Sequence, residues 1–261
     1  MRYLKLLTEI GRNGELLLAL LRKEFAVRYK QSVIGPLWAF LQPLILMALF
    51  VMIQHFIHID SGEFPYPVVV YAALLPWSFF GNSMHFATGS IVNNSAIIRK
   101  IYCPRAIFPL ASILASLVDF FIAFPFLLAL LAYYRIGISW HLAALPLLLV
   151  VQLFLTYGLA LLTSSVAAYR RDVWIGMPYV LQFWMFASPV MYRVESVPGR
   201  WRALYELNPM AGIVDGYRSI LVYDSLPEPS SLLPAMTMAV LLFAAGLVVF
   251  AKLETRFADV V

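Results

Sequence analysis

The stretch IGPLWAFLQPLILMALFVMIQH, residues 34–55, carries no formal charge along its whole length. As a helix rising about 1.5 Å per residue it reaches about 30 Å, the thickness of the hydrocarbon core of a bilayer. A helix on the surface of a soluble domain needs a polar face, and this stretch has none. Five more stretches repeat the pattern: residues 68–88, 107–134, 142–169, 173–192 and 232–251. Pro36, Pro43, Pro76, Pro125, Pro178 and Pro234 fall inside or at the ends of these segments and predict kinks. The fold class expected is all-α integral membrane, with six transmembrane helices in one domain covering residues 1–261.

The composition agrees. Hydrophobic residues make up 62% of the 261 and charged residues 13%, against about 45–50% and 25% in soluble domains. Mean hydropathy is +0.82. One membrane domain uses nearly the whole chain and leaves no room for a catalytic domain of ordinary size. The net charge of +5 is read as membrane topology and not as nucleic-acid binding, because basic residues collect on the cytoplasmic side of membrane proteins. Fourteen of the nineteen Lys and Arg fall before the first segment, between the second and third, after the fourth, and after the sixth. That alternation predicts cytoplasmic termini. Cys103 is the only cysteine, so no internal disulfide is possible, and the four histidines have no metal-ligand spacing.

Three segments outside the spans carry more information. Residues 14–31 contain ELLLALLRKEFAVRYK, in which Leu17, Leu20, Leu21 and Phe25 share a helical face and Arg22, Lys23 and Arg28 lie largely off it. That suits a helix lying in the cytoplasmic interface. Residues 93–109, NNSAIIRKIYCPRAIFP, read as a short helix capped by Asn94 or Ser95 with a basic, proline-stiffened end. Residues 193–231 read as an external re-entrant segment of two short helices. The first is Trp201–Leu207, and the second starts at Asn208-Pro209, with Asp215 and Arg218 away from its apolar stripe.

Enzyme signatures are absent from the sequence: no G-x-x-x-x-G-K-[ST], no H-E-x-x-H and no G-x-S-x-G. Asp119 is the single formal charge within the six stretches. It lies about 18 Å along its span, near mid-membrane. A charge there costs about 2.5–3.5 kcal/mol on insertion scales. Its reading stays open between polar packing and a transport pathway, and no intramembrane partner for it is visible. Aromatics group in LLPWSFFGNS from Leu74 and in LQFWMFASP from Leu181. Interfacial belts explain many of them, and flat rings also meet the C–H faces of sugars without fixing one hydrogen-bond pattern.

Taken together, RYKQSVIGPLWAFLQPL from Arg28 to Leu44, LLPWSFFGNS, KIYCPR from Lys100 to Arg105, SPVMY from Ser188 and the Asn208-Pro209 segment resemble the permease subunits of polysaccharide-exporting ABC transporters. The Tyr-Lys-Gln-Ser form followed by Gly-Pro-Leu-Trp looks more like the O-antigen exporters than the capsule exporters. The resemblance covers essentially the whole chain. It departs at Cys103, where the family carries an aromatic before Pro-Arg.

The resemblance implies a homodimeric channel in the bacterial inner membrane, above two copies of a separate ABC ATPase that holds ATP and magnesium. This chain would hold no cofactor and no metal and would not be an enzyme. Lys23, Arg28, Arg99, Lys100, Pro104 and Arg105 would contact the ATPase. Trp38, Phe40, Trp77, Phe80, Phe183, Trp184, Phe186 and Tyr192 would lie near the glycan. Arg28 and Lys30 would receive the pyrophosphate of a lipid-linked substrate. Capsule or teichoic acid export stays an alternative within the family. From other classes, an ion-coupled secondary transporter would need inverted repeats and coupling charges, and a membrane-embedded transferase would need convergent polar groups on a loop.

Overall fold

The computed structural model describes residues 8–9, 11–57, 62–100, 103–137, 139–194, 199, 205, 207–254 and 257. Among these the chain is all-helical, with no strand. In chain order the helices are α1 Gly14–Tyr29, α2 Trp38–Ile57, α3 Tyr66–Asn93, α4 Ser95–Lys100, α5 Ile107–Tyr133, α6 Leu145–Tyr169, α7 Asp172–Phe186, α8 Pro209–Leu221 and α9 Pro229–Leu253. Single 3-10 turns, Gly35–Leu37 and Trp140–Ala144, lead into α2 and α6. Gly35 enters its turn at φ 59, a left-handed conformation that glycine takes without strain.

The helix α3 is the axis of the bundle, packed by α2, α5, α6, α7 and α8. Two ends are evident. At one, Lys23 of α1 meets Asn94 at the end of α3, Arg105 meets Glu254, and the Tyr169 hydroxyl donates to the Leu253 carbonyl at 3.3 Å. At the other, Tyr66 donates to the Met191 carbonyl at 2.9 Å and His141 pairs with Asp224 at 2.7 Å.

Among the described residues, four helical stretches are long and apolar enough to cross a bilayer: Gly35–Ile57, Ile107–Tyr133, Trp140–Tyr169 and Pro229–Leu253. The other two expected spans differ for separate reasons. Helix α3 has the length, but Ser83, Thr88 and Ser90 are buried among its neighbours. A helix shielded from lipid by protein has less need to be apolar. The stretch expected at 173–192 is helical only to Phe186. At 15 residues α7 spans about 22 Å. Pro189 disfavours helical geometry at Ser188, and the Asn208 amide takes the freed Ala187 carbonyl at 3.1 Å.

A close crossing joins α6 and α9. A Cβ on Gly158 would sit 2.5 Å from the Phe243 backbone, and one on Gly246 would sit 2.4 Å from the Gly158 carbonyl oxygen. Small residues let membrane helices approach this closely. Gly158→Leu is therefore expected to force α9 away and cost about 1–3 kcal/mol. Thermal unfolding of detergent-purified protein reads the loss, and an unchanged midpoint would show that the helices separate at no cost.

Candidate functional site

The site begins where α1 ends. Arg28, on its last turn, reaches across to α5. Its Nη1 donates to Asp119 Oδ2 and to Ser116 Oγ at 3.3 Å. The Tyr29 hydroxyl donates to Asp119 Oδ1 at 2.7 Å. Asp119 therefore has a charged partner, which corrects the expectation that it stands alone. That partner comes from outside the spans, 91 residues earlier in the chain, so a search for charges within the apolar segments misses it. Both side chains are buried, at 8% and 7% exposure. The Arg28 guanidinium also lies over the Phe86 ring, 3.9 Å from its centroid, a geometry in which the ring face attracts the cation. Burial, reinforced by the bond to Asp119, raises the Tyr29 hydroxyl well above the ordinary tyrosine range, so it remains a donor.

Beside this ion pair lies a cavity of about 800 Å³. Arg28, Tyr29, Trp38, Gln42, His85 and Asp119 are among its lining residues. It combines an apolar wall, one half-exposed indole and several polar groups. That is the mixture found in sites for amphipathic ligands.

The expected ATPase-contact residues divide. The Arg28 side chain is buried in the ion pair and ties α1 to α5. Arg105 is fastened to the end of α9: its backbone N–H donates to Glu254 Oε1 at 3.1 Å, and its guanidinium donates to the Glu254 carbonyl. Pro104 is buried. Lys23 remains 41% exposed while donating to Asn94 Oδ1. Asn94 in turn donates to the Ser90 carbonyl at 2.8 Å and to Glu24 at 3.4 Å. It closes α3, and its carbonyl accepts from Ile97 and Ile98 to start α4. One asparagine thus joins three helices. Arg99 and Lys100 are exposed at the end of α4. Lys30 is exposed and is not among the residues of the cavity wall. Tyr102 of the KIYCPR block lies outside the described residues. Burial pushes the Cys103 thiol up, which leaves it inert.

The expected glycan-path aromatics divide too. Trp38, Phe183 and Phe186 are exposed, the latter two on α7. Trp77 and Phe80 are buried, and Phe80 packs edge-on against Trp184 at 5.2 Å. Phe40 packs against Phe126 at 4.9 Å. Trp184 donates to Asn208 Oδ1 at 2.9 Å. In the single chain these four brace the bundle. Tyr192 accepts from the Tyr205 hydroxyl at 2.8 Å and donates to the Phe186 carbonyl.

At the far end, Asn208 caps α8 by accepting from the Met210 N–H at 3.1 Å, with Pro209 at the first helical position. Arg218, expected away from the buried stripe, is 1% exposed. It donates to the carbonyls of Val69, Val190 and Tyr192. Three convergent carbonyls take the place of water around it, which reconciles a charge with burial. Residues 201–204 and 206, most of the expected helix Trp201–Leu207, lie outside the described residues.

Asp224 completes a latch between this end's loops. Hydrogen bonds from Ser139 and His141 hold its carboxylate below the usual range. A lowered carboxylate stabilises the fold above the unfolded value of about 3.9 and loses that contribution as pH falls through the lowered folded value. Amide protection at 222–226, taken relative to the intrinsic exchange rate at each pH, is expected to fall at pH 3 relative to pH 6. The effect is small because Asp224 is exposed.

The model of the family described as ABC-2 type transporter matches residues 15–222, and the chain belongs to that family. It is 26% identical over 259 residues to an O-antigen export system permease protein RfbA of Myxococcus xanthus, covering 98% of this chain and 99% of the relative. It is 28% identical over 264 residues to a protein of the same description from Klebsiella pneumoniae, with the same coverage. It is 26% identical over 226 residues to the polysialic acid transport protein KpsM of Escherichia coli, covering 82% and 84%.

Proposed function

We propose that this chain is the channel-forming permease subunit of an ATP-driven exporter that moves lipid-linked polysaccharide of the O-antigen type from cytoplasm to periplasm. The full-length similarity to O-antigen export permeases supports the substrate class. The observation that carries the mechanism is the joint at Asn94, where α1 and the α3–α4 elbow are fastened through Lys23 and Glu24. A push on either segment from below would move both.

In this reading six spans cross the inner membrane with both termini in the cytoplasm, and α1 lies in the interface. Residues 193–231 form an external re-entrant segment. Two copies make the channel, and two copies of a separate ATPase supply ATP and magnesium and dock on Lys23, Arg99 and Lys100. Trp38, Phe183 and Phe186, exposed on one chain, would face the sugar across the dimer. Arg28 and Lys30 mark the side where the pyrophosphate enters. Capsule export is the second reading, favoured by the similarity to KpsM. The ion-coupled alternative loses ground because Asp119 is held by Arg28 and Tyr29.

The test is reconstitution with the ATPase from the same gene cluster. ATP-dependent movement of a lipid-linked glycan across the vesicle membrane is the expected result. Failure to copurify with any ATPase, or transport driven by an ion gradient alone, would sink the proposal.

A further inference from the structure

We propose that the side edge of the Arg28 guanidinium is a seat for a phosphate-type oxyanion, and that Asp119 is the positioning residue that aims it. The guanidinium is used on one corner only. Nη1 is taken by Asp119 and Ser116. Nε and Nη2, which together form the side-on fork, are buried and have no hydrogen-bond partner among the described residues. Two unpaired buried donors on one cation cost free energy that a bound ligand would recover. The fork spacing suits two oxygens of one phosphoryl group.

The surroundings fit that ligand. Arg28 is among the residues lining the 800 Å³ cavity, a space larger than a single phosphoryl group. Asp119 does not compete for the fork, because it binds the opposite corner and its second oxygen is occupied by Tyr29. Phe86 stacks on the face of the guanidinium and limits its rotation. His85, Asn82 and Gln42 add hydrogen-bonding groups on the same wall, and the half-exposed Trp38 ring offers a face to whatever extends from the phosphate. The inference deepens the export reading and rests on it only for the statement that the oxyanion arrives on a lipid. It takes Lys30 out of the seat, since Lys30 is not on this wall.

The test uses the purified chain in phosphatidylcholine nanodiscs, with farnesyl pyrophosphate, farnesol and inorganic pyrophosphate as probes. Farnesyl pyrophosphate is expected to bind and farnesol not to. Arg28→Lys keeps the charge toward Asp119 but lacks the fork, and it is expected to weaken binding about tenfold or more while the ligand-free unfolding midpoint stays close to the wild type. Inorganic pyrophosphate that binds with the same Arg28 dependence supports the seat and identifies a free anion as sufficient. Binding only of the farnesylated form supports it with a lipid-borne source. Equal binding of farnesol, equal affinity in Arg28→Lys, or no binding of either pyrophosphate overturns it. In the reconstituted complex, loss of all ATP-driven transport in the wild type would fail the export reading. Wild-type transport rates in Arg28→Lys would fail the seat alone.

Discussion

Arg28→Ala is expected to cost about 3–5 kcal/mol of stability, because it strips the partner from a carboxylate that stays buried. Asp119 would keep only the Tyr29 hydroxyl and a 7% exposed position from which water cannot replace the lost cation. The same substitution unfastens α1 from α5, since the pair is one of the ties between them. Thermal unfolding in detergent reads the first effect, and protease sensitivity of residues 14–31 reads the second. The double variant Arg28→Met with Asp119→Leu separates stability from function. Replacing both buried charges with apolar groups of similar size is often neutral or stabilising, so the double variant is expected to recover most of the midpoint and none of the export. A single variant within about 0.5 kcal/mol of wild type, the ordinary range for surface substitutions, would show that the pair is not buried as described.

Much of the bundle was readable from the chain because lipid imposes one rule. Four of the apolar segments became helices long enough to cross a bilayer, and Asn208-Pro209 became a capped helix start. The places the sequence leaves open are places where protein, not lipid, surrounds the side chain. Helix α3 accommodates Ser83, Thr88 and Ser90 because other helices cover it. Trp77, Phe80 and Trp184 sit in aromatic clusters that a path or a core would use equally, and only packing tells them apart. The Arg28–Asp119 pair joins positions 91 residues apart, and no local pattern announces that distance. Lys23 and Asn94 are the same kind of case, with 71 residues between them.

Arg218 is the clearest instance of a residue whose sequence setting misleads, and its removal is the second large effect expected. On a helical wheel it falls outside the apolar stripe of α8, which suggests a solvated charge. In the fold it is among the largest fully buried side chains. Its three donors clamp α8 to Val69 near the start of α3 and to the loop after α7 at Val190 and Tyr192. Each bond from a charged donor is worth about 1.5–3 kcal/mol, and a buried carbonyl left without its donor keeps its desolvation penalty. Arg218→Leu is therefore expected to lose on the order of 4 kcal/mol, allowing for bonds that do not add independently. Arg218→Lys retains the charge but not the planar spread of donors, so it is expected to recover only part of the loss. The unfolding midpoint of purified protein gives the ordering, wild type above Lys above Leu. Because the clamp holds the far end and not the Asn94 joint, the Arg218→Lys variant is expected to copurify normally with the ATPase. A loss of that association in Arg218→Lys, with the unfolding midpoint barely moved, would mean that the two ends of the bundle are coupled more tightly than their separate hydrogen-bond networks indicate.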